Sequence, residues 1–256
     1  MNIFRVLAHT FRVGGAAVLV AAALAGPALA GVVNVAVAAN FTVPATEIAA
    51  AFEKASGDKA VLSFGSSGQF YAQIANGAPY QVFLSADAER PAKAEKDGLA
   101  VPGTRFTYAR GKLVLWSVTP GVVDPAGKVL ARGGFAKLAI ADPTAAPYGL
   151  AAVQTMKTLG LYDQLRPRIV QGASISQAME FVDTGNADLG FVALSQVIER
   201  RVGSHWVVPE ADHEPILQQA VLLKTGADNP AAKAFLAFLK GPKARAIIEK
   251  YGYATR

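Results

Sequence analysis

The sequence contains no cysteine, which excludes disulfide bonds, thiolate nucleophiles, cysteine-ligated zinc and iron–sulfur clusters. Histidine is also scarce: His9 lies in the first thirty residues, and His205 and His213 lie in a polar stretch that predicts solvated surface positions. Charged residues make up only 17% of the 256 residues, and no P-loop, H-E-x-x-H motif or basic stripe is present. These absences argue against nucleotide, metal-ion and nucleic-acid chemistry.

Residues 1–30 have the features of a secretory signal peptide. Two arginines provide a basic start, residues 13–25 are apolar, and Ala28-Leu29-Ala30 ends the segment in the small-x-small pattern read by signal peptidase. We therefore expect export and cleavage after Ala30. An uncleaved membrane anchor is the alternative, but the apolar run is shorter than the ~20 residues that a span needs. Without the leader the net charge falls from +6 to +4, which does not indicate nucleic-acid binding.

The rest of the chain alternates short apolar runs with amphipathic segments, a pattern typical of parallel sheets covered by helices. Strands are predicted over 32–38, 60–64, 81–85, 112–118, 138–141, 168–172, 189–193 and 216–224. Helices are predicted between them, among them a helix that starts at Leu150 after a loop over 142–149, and a helix over 230–251 broken at Gly241-Pro242.

Two such α/β units follow each other without a polar, proline-rich or glycine-rich linker. The segments near residues 108–112 and 215–219 run directly into strands, as expected where a chain crosses between two lobes. We predict a first lobe of residues 31–109 plus 218–256 and a second lobe of residues 110–217. A single doubly wound domain is the alternative.

Four junctions between a strand and a helix share polar or amide-rich character. They are Asn40-Phe41-Thr42, Gly65-Ser66-Ser67-Gly68, Pro147-Tyr148-Gly149 and Ala173-Ser174-Ile175-Ser176. Ligands of open α/β sheets bind beyond the carboxyl ends of the strands, where helix N-termini present unpaired N–H groups and partial positive charge. Helix capping accounts for any one of these junctions, but their recurrence in both halves favours a site that binds an oxyanion through neutral donors.

An enzymatic interpretation has less support. Ser67 is a possible nucleophile, but the segment from Gly65 to Gln69 departs from the G-x-S-x-G elbow at its last position, and no histidine is placed as its base. Asp142 and Asp183 have no partner carboxylate in sight, and Asp142-Pro143 is typical of a turn.

Five segments, in order along the chain, resemble the periplasmic molybdate-binding proteins of ABC importers. They are VAVAANFTVPATEIAAAFEKASG, SFGSSGQFYAQIANGAPYQVFLSAD, ADPTAAPYG, GNADLGFVALSQV and FLKGPKARAIIEKYGY. The resemblance implies a two-lobed (type II) periplasmic binding protein fold of the α/β class. In that fold each lobe is a mostly parallel sheet flanked by helices, and the ligand cleft lies between the lobes.

The resemblance also implies which residues bind the anion. The family's first-loop polar residue falls on Asn40, the second serine of its serine pair on Ser67, its later loop tyrosine on Tyr148, and the residue that gives a backbone N–H at the next helix start on Ile175. Two positions depart from some members: Ala39 stands where some have threonine, and Ala193 where others have tyrosine. Each departure puts one donor in question.

By this resemblance the protein captures molybdate, and tungstate with it, and delivers the anion to the permease of an ABC importer at the inner membrane. We expect a periplasmic monomer with no catalytic residue, no cofactor and no side chain that ligates a cation, because the metal enters as an oxyanion. A receptor for sulfate, thiosulfate or phosphate is the first alternative, and a secreted serine hydrolase that uses Ser67 is the second.

Overall fold

The computed structural model describes Met1 and residues 30–255, so the expected signal peptide and its cleavage site lie outside the described part. Within it the chain forms ten strands, namely β1 Val32–Ala38, β2 Lys59–Gly65, β3 Val82–Leu84, β4 Phe106–Gly111, β5 Leu113–Ser117, β6 Leu138–Ala141, β7 Ile169–Gly172, β8 Leu189–Ala193, β9 Ser204–Val207 and β10 Ile216–Leu222.

The same residues form ten α-helices. These are α1 Thr42–Ser56, α2 Ser67–Ala75, α3 Glu89–Lys96, α4 Val129–Arg132, α5 Pro147–Thr158, α6 Tyr162–Leu165, α7 Ile175–Asp183, α8 Leu194–Val197, α9 Pro230–Lys240 and α10 Pro242–Lys250. A 3₁₀ turn over Ala39–Phe41 joins β1 to α1. None of the helices within residues 30–255 is long and apolar enough to cross a membrane.

The strands form two five-stranded sheets with the same plan. The first has the order β2-β1-β3-β10-β4 and the second the order β7-β6-β8-β5-β9. In each sheet the first three strands pair in parallel, and the fourth strand, β10 or β5, runs antiparallel to both of its neighbours. Each sheet is therefore mostly parallel, as expected.

Each sheet is the centre of one lobe. In the first lobe, one face of the sheet packs against α1, α9 and α10 around Phe52 and Phe235, and the other packs against α2 and α3 around Phe70 and Phe83. In the second lobe, α5 and α7 cover a sheet whose strands supply fully buried residues such as Leu115, Ile140 and Phe191. These aliphatic and aromatic side chains provide the main favourable free energy of folding.

The chain passes between the sheets at two places. It leaves the first sheet at the end of β4, enters β5 after the single residue Lys112, and returns to the first sheet at the start of β10. The lobe boundaries that we predicted, after residues 109 and 217, fall inside β4 and β10, and both strands belong wholly to the first sheet. The two strands also pair with each other, so the hinge is a two-stranded ribbon.

Candidate functional site

The four residues singled out in the sequence line one small cavity between the lobes. Asn40 and Ser67 come from the first lobe, and Tyr148 and Ile175 come from the second. All four are buried, with exposures between 1% and 3%. The strand-to-helix junctions that carry them lie at the carboxyl ends of β1, β2, β6 and β7, as expected of a ligand site in open α/β sheets.

Backbone amides of three helix N-termini border this cavity. Ser67 and Ile175 are the first residues of α2 and α7, and Tyr148 is the second residue of α5. Their N–H groups have no intrahelical acceptor, because the carbonyl four residues earlier lies outside the helix. The aligned peptide dipoles add partial positive charge at each end. The three helices therefore bring amides without an intrahelical acceptor to one cavity.

The helix α5 begins earlier than the sequence predicted. We expected a loop through Gly149 and a helix from Leu150, whereas the helix starts at Pro147. Proline fits the first turn of a helix because it has no N–H to leave unpaired and its φ is already helical. Tyr148 therefore lies in the first turn of α5, and its backbone amide is one of the donors at the helix N-terminus.

The Ser67 hydroxyl is held in position by the backbone that follows β3. Its Oγ accepts a hydrogen bond from the Ala86 N–H at 2.9 Å, so its own proton is left to donate elsewhere. Ser66, the preceding residue, is the N-cap of α2, and its Oγ accepts from the Gln69 N–H at 3.4 Å. Both serines therefore accept a backbone N–H and keep a hydroxyl proton, but only Ser66 caps α2.

The Tyr148 hydroxyl points to the hinge and not to the cavity. It accepts a hydrogen bond from Gln218 Nε2 at 3.2 Å, and a Cβ placed on Gly111 would lie 2.1 Å from it. Burial raises the pKa of Tyr148 well above its ordinary value, so the phenol stays neutral. Gly111 is therefore required for the close approach of the Tyr148 ring to β4.

Behind the cavity lies a buried polar cluster, which we call the hinge network. It consists of Asn40, Tyr108, Tyr148, Ser195, Gln218 and Tyr253, none of them more than 7% exposed. Asn40 Nδ2 donates to Gln218 Oε1 and to the Tyr253 hydroxyl, both at 2.9 Å, and the Asn40 carbonyl accepts from Ser195 and Tyr253, both at 2.8 Å. Burial also raises the pKa of Tyr253, to about 12.

The sequence analysis missed Gln218, Tyr253 and Tyr108. A signal for Gln218 was present: it is a polar residue in the run ILQQAVLLK, which reads as a buried strand. It is fully buried, and a register shift between Gln218 and Gln219 in the pairing of β10 with β4 marks a bulge at this point. Nothing in the sequence pattern places Tyr253, which reaches the cluster from the chain's last residues.

The cavity has no charged wall. Its lining residues, all within the described range, are uncharged: Ala38, Ala39, Asn40, Gly65, Ser66, Ser67, Ala86, Ala146, Pro147, Tyr148 and Ile175. Arg90 lies nearby, in a groove of about 390 Å³ on one side, where it pairs with Asp87. A second groove of about 310 Å³ flanks the opposite side and includes Arg200, which pairs with Asp183 at 2.8 Å.

The two lobes are closed on each other by direct hydrogen bonds on both sides of the cavity. They run from Gly68 N to Ala145 O at 2.8 Å, from Arg90 Nη2 to Thr144 O at 2.8 Å, from Ser195 Oγ to Asn40 O at 2.8 Å and from Ser176 Oγ to Ala39 O at 3.4 Å. A Cβ on Gly68 would lie 2.9 Å from the Ala145 Cα, so this closure requires glycine there.

The cavity enclosed in this way is about 10 Å³, room for about one water molecule. A tetrahedral anion with four oxygens is larger. Because its walls belong to different lobes, the cavity grows when the lobes separate slightly, and its size is set by the extent of closure.

Other expectations have mixed outcomes. Ala39 lines the cavity, whereas Ala193 is buried at the end of β8 and is not among the lining residues. Asp142 forms the expected turn, accepting from the Thr144 N–H at 2.9 Å. His205 is exposed as predicted, but the prediction for His213 was wrong: it is 8% exposed, and its Nδ1 lies 2.7 Å from the Glu214 carbonyl. No group of three or more histidine, aspartate or glutamate residues within residues 30–255 is placed to hold a metal ion.

Comparisons with known proteins agree with this architecture. Residues 33–254 match the model of a family described as bacterial extracellular solute-binding protein. The molybdate-binding protein ModA of Rhodobacter capsulatus is 57% identical over 247 residues, which cover 96% of this chain and 98% of the relative. ModA of Azotobacter vinelandii is 56% identical over 236 residues, with 91% and 94% covered.

The solved structure of the Azotobacter vinelandii periplasmic molybdate-binding protein superposes with a TM-score of 0.85 at 50% identity, over 88% of this chain and 99% of that one. The fold is thus the two-lobed periplasmic binding protein fold, with a mostly parallel sheet in each lobe and the cleft between them. The chain belongs to the family of bacterial extracellular solute-binding proteins, together with the relatives named molybdate-binding protein ModA.

Proposed function

We propose that this protein captures molybdate, and tungstate with similar strength, between its lobes and delivers the anion to the permease of an ABC importer. The observation that carries the proposal is the uncharged cavity where Asn40, Ser67, Tyr148 and Ile175 meet from both lobes. The names of the relatives at 56% and 57% identity support the choice of anion.

Neutral donors supply enough free energy for such a site. A hydrogen bond to a charged group contributes on the order of 1.5–3 kcal/mol net. The candidate donors are the backbone amides of Asn40, Ser67, Tyr148 and Ile175 and the Ser67 hydroxyl. The Asn40 side-chain amide is a sixth donor once it releases Gln218 and Tyr253. Six bonds of about 2 kcal/mol or more each leave the roughly 8 kcal/mol of micromolar binding when the association cost is near its lower value of about 4 kcal/mol.

Selectivity in such a cavity is geometric. Molybdate and tungstate have nearly the same size and charge, so fixed neutral donors bind both. Sulfate is smaller, and donors held apart by the two lobes leave some of its oxygens without a partner. Lobe closure and anion binding are then one equilibrium, because each lobe supplies part of the donor set.

The protein performs no chemistry in this proposal. Ser67 Oγ accepts from a backbone amide and has no histidine beside it, since the cavity lining contains none. The same proposal places the protein in the periplasm as a monomer, exported by residues 1–30 with cleavage after Ala30. It uses no cofactor, and the metal atom reaches the protein only inside its oxyanion.

Titration calorimetry with molybdate, tungstate, sulfate, thiosulfate and phosphate tests the proposal. We expect tight binding of the first two anions and at least a hundredfold weaker binding of the others. Tight binding of sulfate, thiosulfate or phosphate with no response to molybdate would show that the ligand is that other anion. Ester hydrolysis by the wild type that is lost in Ser67→Ala would instead identify a hydrolase.

A further inference from the structure

Asn40 lines the cavity, but its side-chain amide has no proton left to donate to an anion. Both of its Nδ2 protons are directed into the hinge network, one to Gln218 Oε1 and one to the Tyr253 hydroxyl, each at 2.9 Å. The oxygen Oδ1 is the amide atom turned away from that network. An oxyanion beside Oδ1 meets an acceptor, so Asn40 can donate from its side chain only after its amide turns over.

Gln218 prevents Asn40 from turning over alone. Its Oε1 accepts from Asn40 at 2.9 Å and from the Tyr108 hydroxyl at 3.0 Å, and its Nε2 donates to the Tyr148 hydroxyl at 3.2 Å. If only Asn40 turned, its Oδ1 would face Gln218 Oε1, and two acceptors would oppose each other in a fully buried site. Buried polar groups without partners are costly, so this mixed arrangement is excluded.

A joint turn of both amides gives each amide a partner again when the Tyr253 hydroxyl turns its proton from the Asn40 carbonyl to Asn40 Oδ1, while Ser195 still donates to that carbonyl. Gln218 Nε2 then donates to Asn40 Oδ1 and to the Tyr108 hydroxyl, which in turn donates to the Ser85 carbonyl at 3.2 Å. Gln218 Oε1 accepts from the Tyr148 hydroxyl, because a phenol can donate as well as accept. Asn40 Nδ2 then points into the cavity as an anion donor.

We propose that Gln218 is the positioning residue of the anion site: it turns over together with Asn40, so that an oxyanion selects the arrangement in which Asn40 donates. This inference rests on the proposed function and adds a residue to it. The hinge network has two complete hydrogen-bond arrangements, and the anion binds only one of them tightly, which is sufficient to shift their populations.

The position of Gln218 links this switch to the hinge. Gln218 lies on β10, which pairs with β4 in the two-stranded ribbon between the lobes, and at the bulge in that pairing. Through Tyr148 it contacts the second lobe, and through Asn40 the first. The residue therefore touches both walls of the cavity from behind without touching the anion.

A double-mutant cycle separates positioning from a structural role. Gln218→Leu keeps the side-chain size and removes its hydrogen bonds, and we expect at least tenfold weaker molybdate binding. In the Asn40→Ala background the same change should cost less than twofold, because Gln218 acts through Asn40. Gln219→Leu is the matched control: Gln219 is next in the strand but bonds Thr107 and Arg105 at the surface, so it should leave binding unchanged.

A spectroscopic measurement on the wild type does not depend on the fold of any variant. With ¹⁵N-labelled asparagine and glutamine, the side-chain NH₂ signals of Asn40 and Gln218 should both move on addition of molybdate, while those of Gln219 stay in place. An Asn40 signal that moves while the Gln218 signal does not, or losses that multiply in the cycle, would overturn the inference alone. A wild type that does not bind molybdate in calorimetry would overturn the proposed function and this inference with it.

Discussion

Two adjacent serines at the start of α2 differ in which backbone amide their hydroxyl accepts from. Ser67 Oγ accepts from Ala86, outside the helix, and its proton is available to a ligand, whereas Ser66 Oγ accepts from Gln69 and so caps α2. Ser67→Ala should weaken molybdate binding by about 1–3 kcal/mol, the cost of one lost hydrogen bond to a buried charged ligand. Calorimetry measures this loss directly.

Ser66→Ala is the comparison for that substitution, because Ser66 also lines the cavity. It should lower the free energy of unfolding by about 1 kcal/mol, as the loss of an N-cap does, and cost less molybdate affinity than Ser67→Ala. Equal losses of affinity in both variants would show that Ser67 acts only through the stability of α2.

Tyr148 is expected to serve the anion with its backbone and not with its phenol. Its hydroxyl contacts Gln218 in the hinge network, while its amide is at the N-terminus of α5. Tyr148→Phe should therefore cost less affinity than Ser67→Ala, because Gln218 loses one partner equally in both of its arrangements. A loss of molybdate affinity as large as that of Ser67→Ala, measured by calorimetry, would place the phenol on the anion.

At this scale the sequence predicts a site residue only when the residues next to it in the chain indicate its role. Serine or asparagine at a strand-to-helix junction marks a helix N-terminus from neighbouring residues alone, which is why Asn40 and Ser67 could be named. The hydrogen-bond partners of Asn40 are 155 to 213 positions away in the chain, at Ser195, Gln218 and Tyr253. Only the folded topology brings them together.

At the scale of elements, the hinge network couples stability to alkaline pH. Burial raises the pKa of Tyr253 to about 12 and raises those of Tyr108 and Tyr148 well above the ordinary value. Between about pH 10 and 12 the unfolded chain loses the tyrosine protons that the folded chain retains, so rising pH favours unfolding. Stability from these groups is complete below pH 10 and declines above it.

Tyr253→Phe tests this dependence. The variant should be less stable than the wild type at pH 8, because the hydroxyl bonds to Asn40 and Ser195 are lost. Its free energy of unfolding should then fall less steeply between pH 10 and 12. Urea denaturation at pH 8, 10.5 and 11.5 gives both quantities, and parallel slopes for the two proteins would contradict a raised pKa at Tyr253.

The sequence pattern predicts some strands with their correct first and last residues and misses others. The strands β6 and β8 were predicted to the residue, because their apolar runs are bounded by polar or turn residues. The strands β4 and β9 were not predicted. In β4 (FTYARG) the alternation of apolar and polar residues is too weak to indicate a strand. It is held in the sheet by pairing with β10, a long-range contact that no local pattern reports.

At the scale of the whole molecule, two arginines near the cleft each pair with an aspartate, but only one of them also contacts the other lobe. Arg90 of the first lobe pairs with Asp87 and donates across the cleft to the Thr144 carbonyl at 2.8 Å. Arg200 pairs with Asp183, and both residues belong to the second lobe. Only Arg90 therefore contributes to closure.

Arg90→Ala should shift the equilibrium between open and closed lobes toward the open form. Because the bound anion leaves only when the lobes separate, we expect molybdate to dissociate about three- to tenfold faster, which corresponds to one partly exposed hydrogen bond of about 1 kcal/mol. The association rate should change little, since the bond to Thr144 forms after the anion has entered. Stopped-flow measurement of both rates tests this, with Arg200→Ala as the control that removes an arginine without removing a bond between lobes. If the dissociation rate increased equally in both variants, the cause would be the lost surface charge. If the rate were unchanged in Arg90→Ala, closure would depend on the backbone contact between Gly68 and Ala145 and on the anion itself.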